Sequence, residues 1–269
     1  MRITRHSDNQ GAPIAVVTRA KDDYDLAPLT HPLLDAYAKR CGADLIVLNE
    51  EVVRAGDYSY EILQCQELFD HYERILSLDS DMLVTPACPD LFKLVPQDCI
   101  GTIYEDKYAR RNDRRRWIRE VQKAWGDVGW AQGYINTGVF LCSRMHRGIF
   151  ERRDRPVWLD LGFDDVFLGY RIHEQGFKIF ELPYRFNHMS MFSEIGANWL
   201  KAHIIHYAGR GFYRRMPRPQ QIQRDLRLLQ STPNKFLLNF ANIPARARLL
   251  LLGLYCLYQD RKINPGAHE

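Results

Sequence analysis

Two aspartates one residue apart close an apolar run: Arg74 to Val84 reads RILSLDSDMLV, with Asp79 and Asp81 on either side of Ser80. Residues i and i+2 of an extended segment project to the same side, so both carboxylates can reach one ligand. Their like charges oppose that closeness, and a bound cation is the natural compensation. A cation held by oxygen ligands with positions left open can bridge the two phosphates of a nucleoside diphosphate. Mg2+ suits an all-oxygen site; an imidazole among the ligands shifts the preference towards Mn2+. A solvated turn also carries such triplets, but the hydrophobic ILSL before this one makes it a strand terminus.

Two further groups could join that chemistry. Asp164 and Asp165 open the segment FDDVFLGYRIHEQG, residues 163–176. Acids at a helix start suit the macrodipole and can cap it, and one can cap while the other reaches a site. His206 follows an apolar pair in AHIIHYAG, residues 202–209, where it reads either as a core histidine or as a ligand; His188 and His203 are its rivals.

The elements that must position these residues alternate. PIAVVTRA (13–20) is a β-branched run typical of a buried strand, and HPLLDAYAKRCG (31–42) spaces Leu33, Leu34, Tyr37 and Ala38 as a helix that stops at Gly42. ADLIVLNE (43–50) is a second strand, SYEILQCQELFDHY (59–72) a second helix, and RILSL a third strand. Strand and helix in alternation predict a parallel α/β sheet, whose ligands gather at the carboxyl ends of the strands. Further strands are expected in CIGTIYED (99–106), GYINTGVFLCSR (133–144), FKIFELPYRFN (177–187) and AHIIHYAG, with a polar, Trp-containing helix or mobile segment over 110–130 and a helix over 163–176.

Four segments, in this order, resemble those of GT-A glycosyltransferases, and in wording most closely the glycogenin family and the bacterial lipopolysaccharide galactosyl- and glucosyltransferases. ERILSLDSDMLV followed by PDLFKLVP resembles their DxD strand and its sequel; GYINTGVFLCSR resembles their Asn-x-Gly segment. ELPYRFNHM resembles their late strand, and HIIHYAGRGF their metal histidine followed by a phosphate-contacting glycine, here Gly209. The resemblance spans residues 13 to 212. It implies a GT-A domain: an α/β, Rossmann-like, mostly parallel sheet flanked by helices. It further implies that Asp81 and His206 bind Mn2+ or Mg2+, that Asp79 binds metal or donor ribose, and that Ser80 sits at the donor. Asn136, Thr137 and Gly138 would line the donor sugar and acceptor, and Thr18 would contact the nucleotide base. The activity implied is transfer of a hexose from a nucleotide-diphosphate sugar, UDP-linked, to a glycan or lipid-linked saccharide.

Two departures qualify that resemblance. Glycogenin-like families, which retain anomeric configuration, carry Asp-Gln where this chain has Asp164-Asp165; inverting GT-A enzymes carry an acid pair there. The resemblance then assigns Asp165 as general base, with Asp164 beside it, and leans to inversion while leaving the stereochemistry open. SYEILQCQEL also lacks the basic residue that many relatives place near the donor, for which Gln64 and Gln66 are the candidate substitutes.

Bulk properties bound the rest. The 269 residues, 46% of them hydrophobic, suffice for one substantial core, and six cysteines without CxxC pairs argue against disulfides and structural zinc. No N-terminal apolar stretch has signal-peptide length, which gives the expectation of a cytoplasmic protein, peripheral on the membrane's inner face. Residues 209–248 hold nine Lys/Arg against Asp225 alone, within a chain of net charge +4. The expected layout is a tail over 1–12, a catalytic domain over 13–212 and a basic, partly helical extension over 213–269. In that extension LLLLGLYCLY (249–258) is too short to span a bilayer. It can lie on an anionic membrane surface or pack on the body; nucleic acid is disfavoured, because no recognition module accompanies the arginines. Trp117, Trp125 and Trp130 read as an acceptor wall or as core. Rival readings are a haloacid-dehalogenase-like magnesium phosphatase, a nucleotidyltransferase, and a catalytically silent sugar-nucleotide-binding relative.

Overall fold

The computed structural model describes residues 1–6, 13–152, 156–231, 238, 240 and 243–263. Its centre is a seven-stranded sheet of β1 (Arg2–Thr4), β2 (Ile14–Arg19), β3 (Asp44–Leu48), β4 (Arg74–Leu78), β6 (Cys99–Tyr104), β7 (Ile135–Ser143) and β8 (Lys178–Glu181). Their order is β1-β3-β2-β4-β7-β6-β8. Strands β2, β3, β4, β6 and β8 run one way, while β1 and β7 oppose them. A separate antiparallel pair, β5 (Met82–Val84) with β9 (Ile204–His206), closes over one end.

The central strands are buried along nearly their whole length because both faces are covered. Alternate residues feed opposite cores: Ala15, Val17, Ile46 and Ile75 pack with Phe167, Leu168 and Ile172 of helix α5 (Phe163–Glu174). Val16, Leu45 and Leu76 pack with Leu34, Tyr37 and Ala38 of helix α1 (Ala27–Cys41). Helix α1 ends where expected, on Gly42 at φ 70°, whose N–H bonds the carbonyls of Ala38 and Lys39. Cys65, Cys88 and Cys142 are buried thiols within these cores.

Three expectations need revision. Segment 59–72 is not one amphipathic helix but a 3-10 turn over Tyr58–Gln64 followed by the short α2 (Cys65–Leu68). Tyr60, Glu61, Ile62 and Leu63 are all buried, which no one-faced helix allows, and the Glu61 carboxylate accepts the N–H groups of Val52, Val53 and Arg54. Residues 1–12, expected as a tail, begin with a strand: Arg2–Thr4 pair with Leu45–Val47 at the sheet edge; residues 7–12 lie outside the described residues.

The third concerns the extension, whose first helix, α7 (Arg218–Ser231), is built into the body. Its Asp225 is fully buried and accepts from Trp199 Nε1 and Tyr207 Oη at 3.0 and 2.8 Å. Gln221, equally buried, accepts from the N–H groups of Phe212 and Tyr213 and donates to three carbonyls. The C-terminal helix, Ile243–Ile263, presses Gly253 so closely on Glu194 that an added Cβ would meet its backbone oxygen at 2.9 Å. No described helix is long and apolar enough to cross a membrane.

The antiparallel insertion of β7 sets up the site. Because β7 runs against β4, its first residues lie at the carboxyl ends of β2 and β4, and Asp79 N donates to Gly138 O at 3.0 Å. The register against β6 slips between Gly101 and Ile103, beside Asn136–Gly138, the kind of irregularity that re-aims side chains next to a site.

Candidate active site and metal centre

A cavity of about 610 Å3 opens at that end, lined among others by Asp79, Ser80, Asp81, Asp165, His206 and Gly209. Ligand atoms of Asp79, Asp81 and His206 lie within 4.8 Å of one another. Asp79 and Asp81 leave the end of β4 and start of β5, and His206 is set opposite Met82 by the β5–β9 pairing. Of the three candidate histidines, His206 alone joins: His188 is buried edge-on to Phe192 and bonds Ser193, and His203 packs at a tilt against Phe186.

A chain of side chains fixes which nitrogen of His206 faces the carboxylates. The Glu105 carboxylate can only accept, so Asn136 gives it Nδ2, at 2.7 Å. Asn136 Oδ1 then accepts from the Gly138 N–H at 3.0 Å and from Asn187 Nδ2 at 2.6 Å. Asn187 is left presenting its oxygen to His206 Nδ1 at 2.8 Å, which places a proton there and, in the neutral ring, leaves Nε2 as a lone pair. That lone pair lies 3.1 Å from Asp81 Oδ1 and 3.6 Å from Asp79 Oδ2. The shorter approach is no hydrogen bond in this tautomer, and Asp81 Oδ1 is buried without a hydrogen-bond partner among the described residues.

Such a constellation calls for a cation. Burial lowers the imidazole pKa, but the charges of Asp81 and Asp79 overcome that and raise it, so a proton can take the role that a metal would otherwise fill. The orphaned oxygen, the lone pair and the second carboxylate fit a divalent cation with two oxygen ligands and one nitrogen ligand, a set that suits Mn2+ and admits Mg2+. Gly138 is required at this point: a Cβ would lie 2.7 Å from His206 Cε1, 2.8 Å from Asn136 Oδ1 and 2.9 Å from Asp79 Oδ2.

The second acid pair faces the same cavity. Neither acid caps α5, whose N-cap is Gly162 at φ 92° without a side-chain cap. Both turn instead to Thr137: its N–H and hydroxyl bond Asp165 Oδ1 at 2.7 and 2.9 Å, and the hydroxyl also reaches Asp164 Oδ2 at 2.7 Å. Asp164 is further held by Arg19 at 3.1 Å. Burial and then the charges of Asp164 and Glu105 push the Asp165 carboxyl well above the carboxylate range. Burial raises Asp164 as well, against the pull of Arg19 and Thr137. Among the described residues nothing hydrogen-bonds Asp165 Oδ2.

Several expected residues are placed differently from their anticipated contacts. Thr18 is fully buried behind Ser80, Oγ1 to Oγ 2.8 Å, and does not line the cavity. The amide of Asn136 is engaged on both ends by the chain above. Gln64 bonds Glu61 and Glu50, and neither Gln64 nor Gln66 lines the cavity. A cation does line the cavity: Arg19, at the end of β2, bonds Asp79, Asp164 and the Ser59 carbonyl. Burial opposes its charge, and Asp79 and Asp164 more than offset this, raising its pKa. Sequence reasoning missed it, although a cation at the carboxyl end of a parallel strand was the available signal. Trp130, stacked on Tyr134 and His173, and Trp125, edge-on to Phe167 and Tyr170, pack helix α4 (Arg111–Trp125) against α5, and neither lines the cavity.

No protein-family model matches the chain, and no curated protein matches it in sequence. Solved structures match it in three dimensions. A glycosyltransferase involved in glycosylation of the major capsid of PBCV-1 aligns with TM-score 0.52 at 16% identity, over 80% of this chain and 98% of its own. The galactosyltransferase LgtC, in complex with donor and acceptor sugar analogs, aligns with TM-score 0.52 at 17% identity, over 81% and 95%. The bifunctional glycosyltransferase WbbM gives 0.50 at 14% identity, over 82% of this chain and 53% of its own. At such identities the likeness is one of fold: this chain has the GT-A fold, as the sequence resemblance led us to expect.

Proposed function

We propose that the protein is a metal-dependent glycosyltransferase that moves a hexose from a nucleoside-diphosphate sugar, UDP-linked, to a saccharide or lipid-linked acceptor. The observation that carries this reading is one cavity holding both the Asp79, Asp81 and His206 cluster and Asp165. Asp79, Asp81 and His206 would hold Mn2+ or Mg2+, which when bound offsets the charge that develops on a diphosphate leaving group. Arg19 keeps the Asp79 carboxylate oriented, and the Glu105–Asn136–Asn187 chain keeps Nε2 of His206 available. Asp165, with one oxygen fixed by Thr137, takes the acceptor hydroxyl's proton on the other, as direct displacement with inversion requires. Ser80 and Gly209, on the cavity wall, are assigned to the donor.

The phosphatase reading is not favoured: its nucleophile aspartate follows the first strand, whereas Asp79 follows β4, and it leaves the His206 chain without a role. The test is calorimetric titration of a panel of nucleotide sugars with Mn2+ and again with EDTA. One nucleotide sugar should bind with metal and release with chelator. Absence of binding in both conditions across the panel would discard the reading.

We further propose that the acceptor lies at an anionic membrane surface, a reading that the exposed face of the C-terminal helix supports. Leu250, Leu251, Leu254, Tyr255 and Tyr258 are exposed at helical spacing on one face, and Arg248 stands exposed at its border. The full chain should co-sediment with phosphatidylglycerol vesicles, more weakly in high salt, and Leu251→Asp should lose most of that binding. Equal recovery in the supernatant with and without vesicles would refute the membrane assignment.

A further inference from the structure

Asp81 divides its two oxygens. Oδ1 faces His206 and Asp79, while Oδ2 accepts from Arg218 Nη1 at 2.7 Å. Arg218 opens α7, in the segment that sequence alone assigned to an appendage. The helix itself cannot drift, because the buried Gln221 and Asp225 tie it to the loop after β9 and to Trp199. The guanidinium is different. Its side chain is 30% exposed, against 6% for Arg19, and Asp81 is its one recorded hydrogen-bond partner among the described residues. Arg19 by contrast is clamped by Asp79, Asp164 and a carbonyl. A guanidinium carries five N–H donors in a planar fork that fits phosphate as well as carboxylate.

These two arginines neutralise the two carboxylates that a metal would use. A divalent cation brought to Asp81 repels the Arg218 guanidinium and competes for the same carboxylate. A diphosphate brought with that cation offers the displaced guanidinium a stronger acceptor close by. We propose that Arg218 is a donor-phosphate residue held on Asp81 until cation and nucleoside diphosphate arrive, whereupon it exchanges the carboxylate for the diphosphate. The proposal rests on the glycosyltransferase reading above.

Its signature is a pair of opposite effects. Arg218 weakens the binding of metal alone, and it strengthens the binding of a nucleoside diphosphate to the metal-loaded protein. Calorimetry on the full chain with Mn2+ alone, and with UDP at saturating Mn2+, reads both. Arg218→Gln should bind Mn2+ about tenfold tighter and UDP about tenfold weaker than wild type, the scale of one charge-assisted hydrogen bond. Arg218→Lys should move both constants in the same directions by less, since a flexible ammonium cannot reproduce the fork. A fold damaged by Arg218→Gln would weaken both ligands together, and Arg218→Lys then decides. Unchanged or weaker Mn2+ binding in both variants, or unchanged UDP binding in both, overturns the exchange. Should wild type itself bind no nucleotide with Mn2+, the glycosyltransferase reading fails first; wild-type binding with indifferent variants refutes Arg218 alone.

Discussion

Asp165→Asn binds the donor as wild type does and loses transfer by about a thousandfold, within the range general-base catalysis contributes. The two halves of this expectation have separate causes. Asparagine keeps an oxygen where Asp165 Oδ1 accepts from the N–H and hydroxyl of Thr137, so the wall of the cavity stays in place. What is lost is the second carboxylate oxygen, the one that Thr137 does not occupy. A carboxylate whose pKa lies above its usual range is a stronger base than one in water, which suits removal of a proton from a sugar hydroxyl.

The same raised pKa fixes the sign of two further readouts. In the folded chain Asp165 holds its proton more tightly than in the unfolded one, so its contribution to stability is present below the unfolded carboxylate range and is lost as pH rises through the folded value. Asp165→Asn should therefore melt higher than wild type at neutral pH, with the gap closing as pH falls. Wild-type kcat/KM should fall with pH as Asp165 takes up its proton. Nuclear magnetic resonance of the product should show the anomeric configuration inverted relative to the donor. Wild-type transfer rates in Asp165→Asn would remove the general-base assignment, and a retained configuration would remove direct displacement.

What sequence could and could not reveal follows from separation along the chain. The DxD triplet is local, and the apolar residues before it announce a strand end, so Asp79 and Asp81 were legible. The helices on either face were legible too, because α1 repeats at the helical period and the strands it covers are continuous apolar runs. The direction of β7 was not: alternation of strand and helix says nothing about whether a strand inserts antiparallel, and that insertion brings Asn136–Gly138 to the site. Arg19 reads as the polar end of a strand until its partners 40, 60 and 145 positions away are known. The links from Glu105 to His206 join residues 31, 51 and 19 positions apart, and Arg218 reaches across 137. Segment 59–72 misled for a related reason: Glu61, polar by type, turns inward to hold the backbone of residues 52–54 and breaks the period.

Asp81→Ala tests the centre of the site most severely, because this residue meets His206 on one side and Arg218 on the other. Removing it leaves one carboxylate and one imidazole, and takes away Asp81 Oδ1, the buried oxygen with no hydrogen-bond partner among the described residues. Mn2+-dependent UDP binding should fall at least about a hundredfold, the scale of losing a charged group that holds a ligand in a buried site. Melting separates this from collapse of the fold. The Asp81 carbonyl still accepts from Tyr207 N at 3.0 Å whatever the side chain, and Arg218 is exposed enough to be solvated when unpaired. The variant should therefore melt within a few degrees of wild type in EDTA. In wild type, Mn2+ at about a hundred times its Kd should add about 2.7 kcal/mol of stability by mass action, raising Tm in a concentration-dependent way. Asp81→Ala should show no such rise. A variant that still gains stability from Mn2+ and still binds UDP only in its presence would place the metal elsewhere than between Asp79, Asp81 and His206.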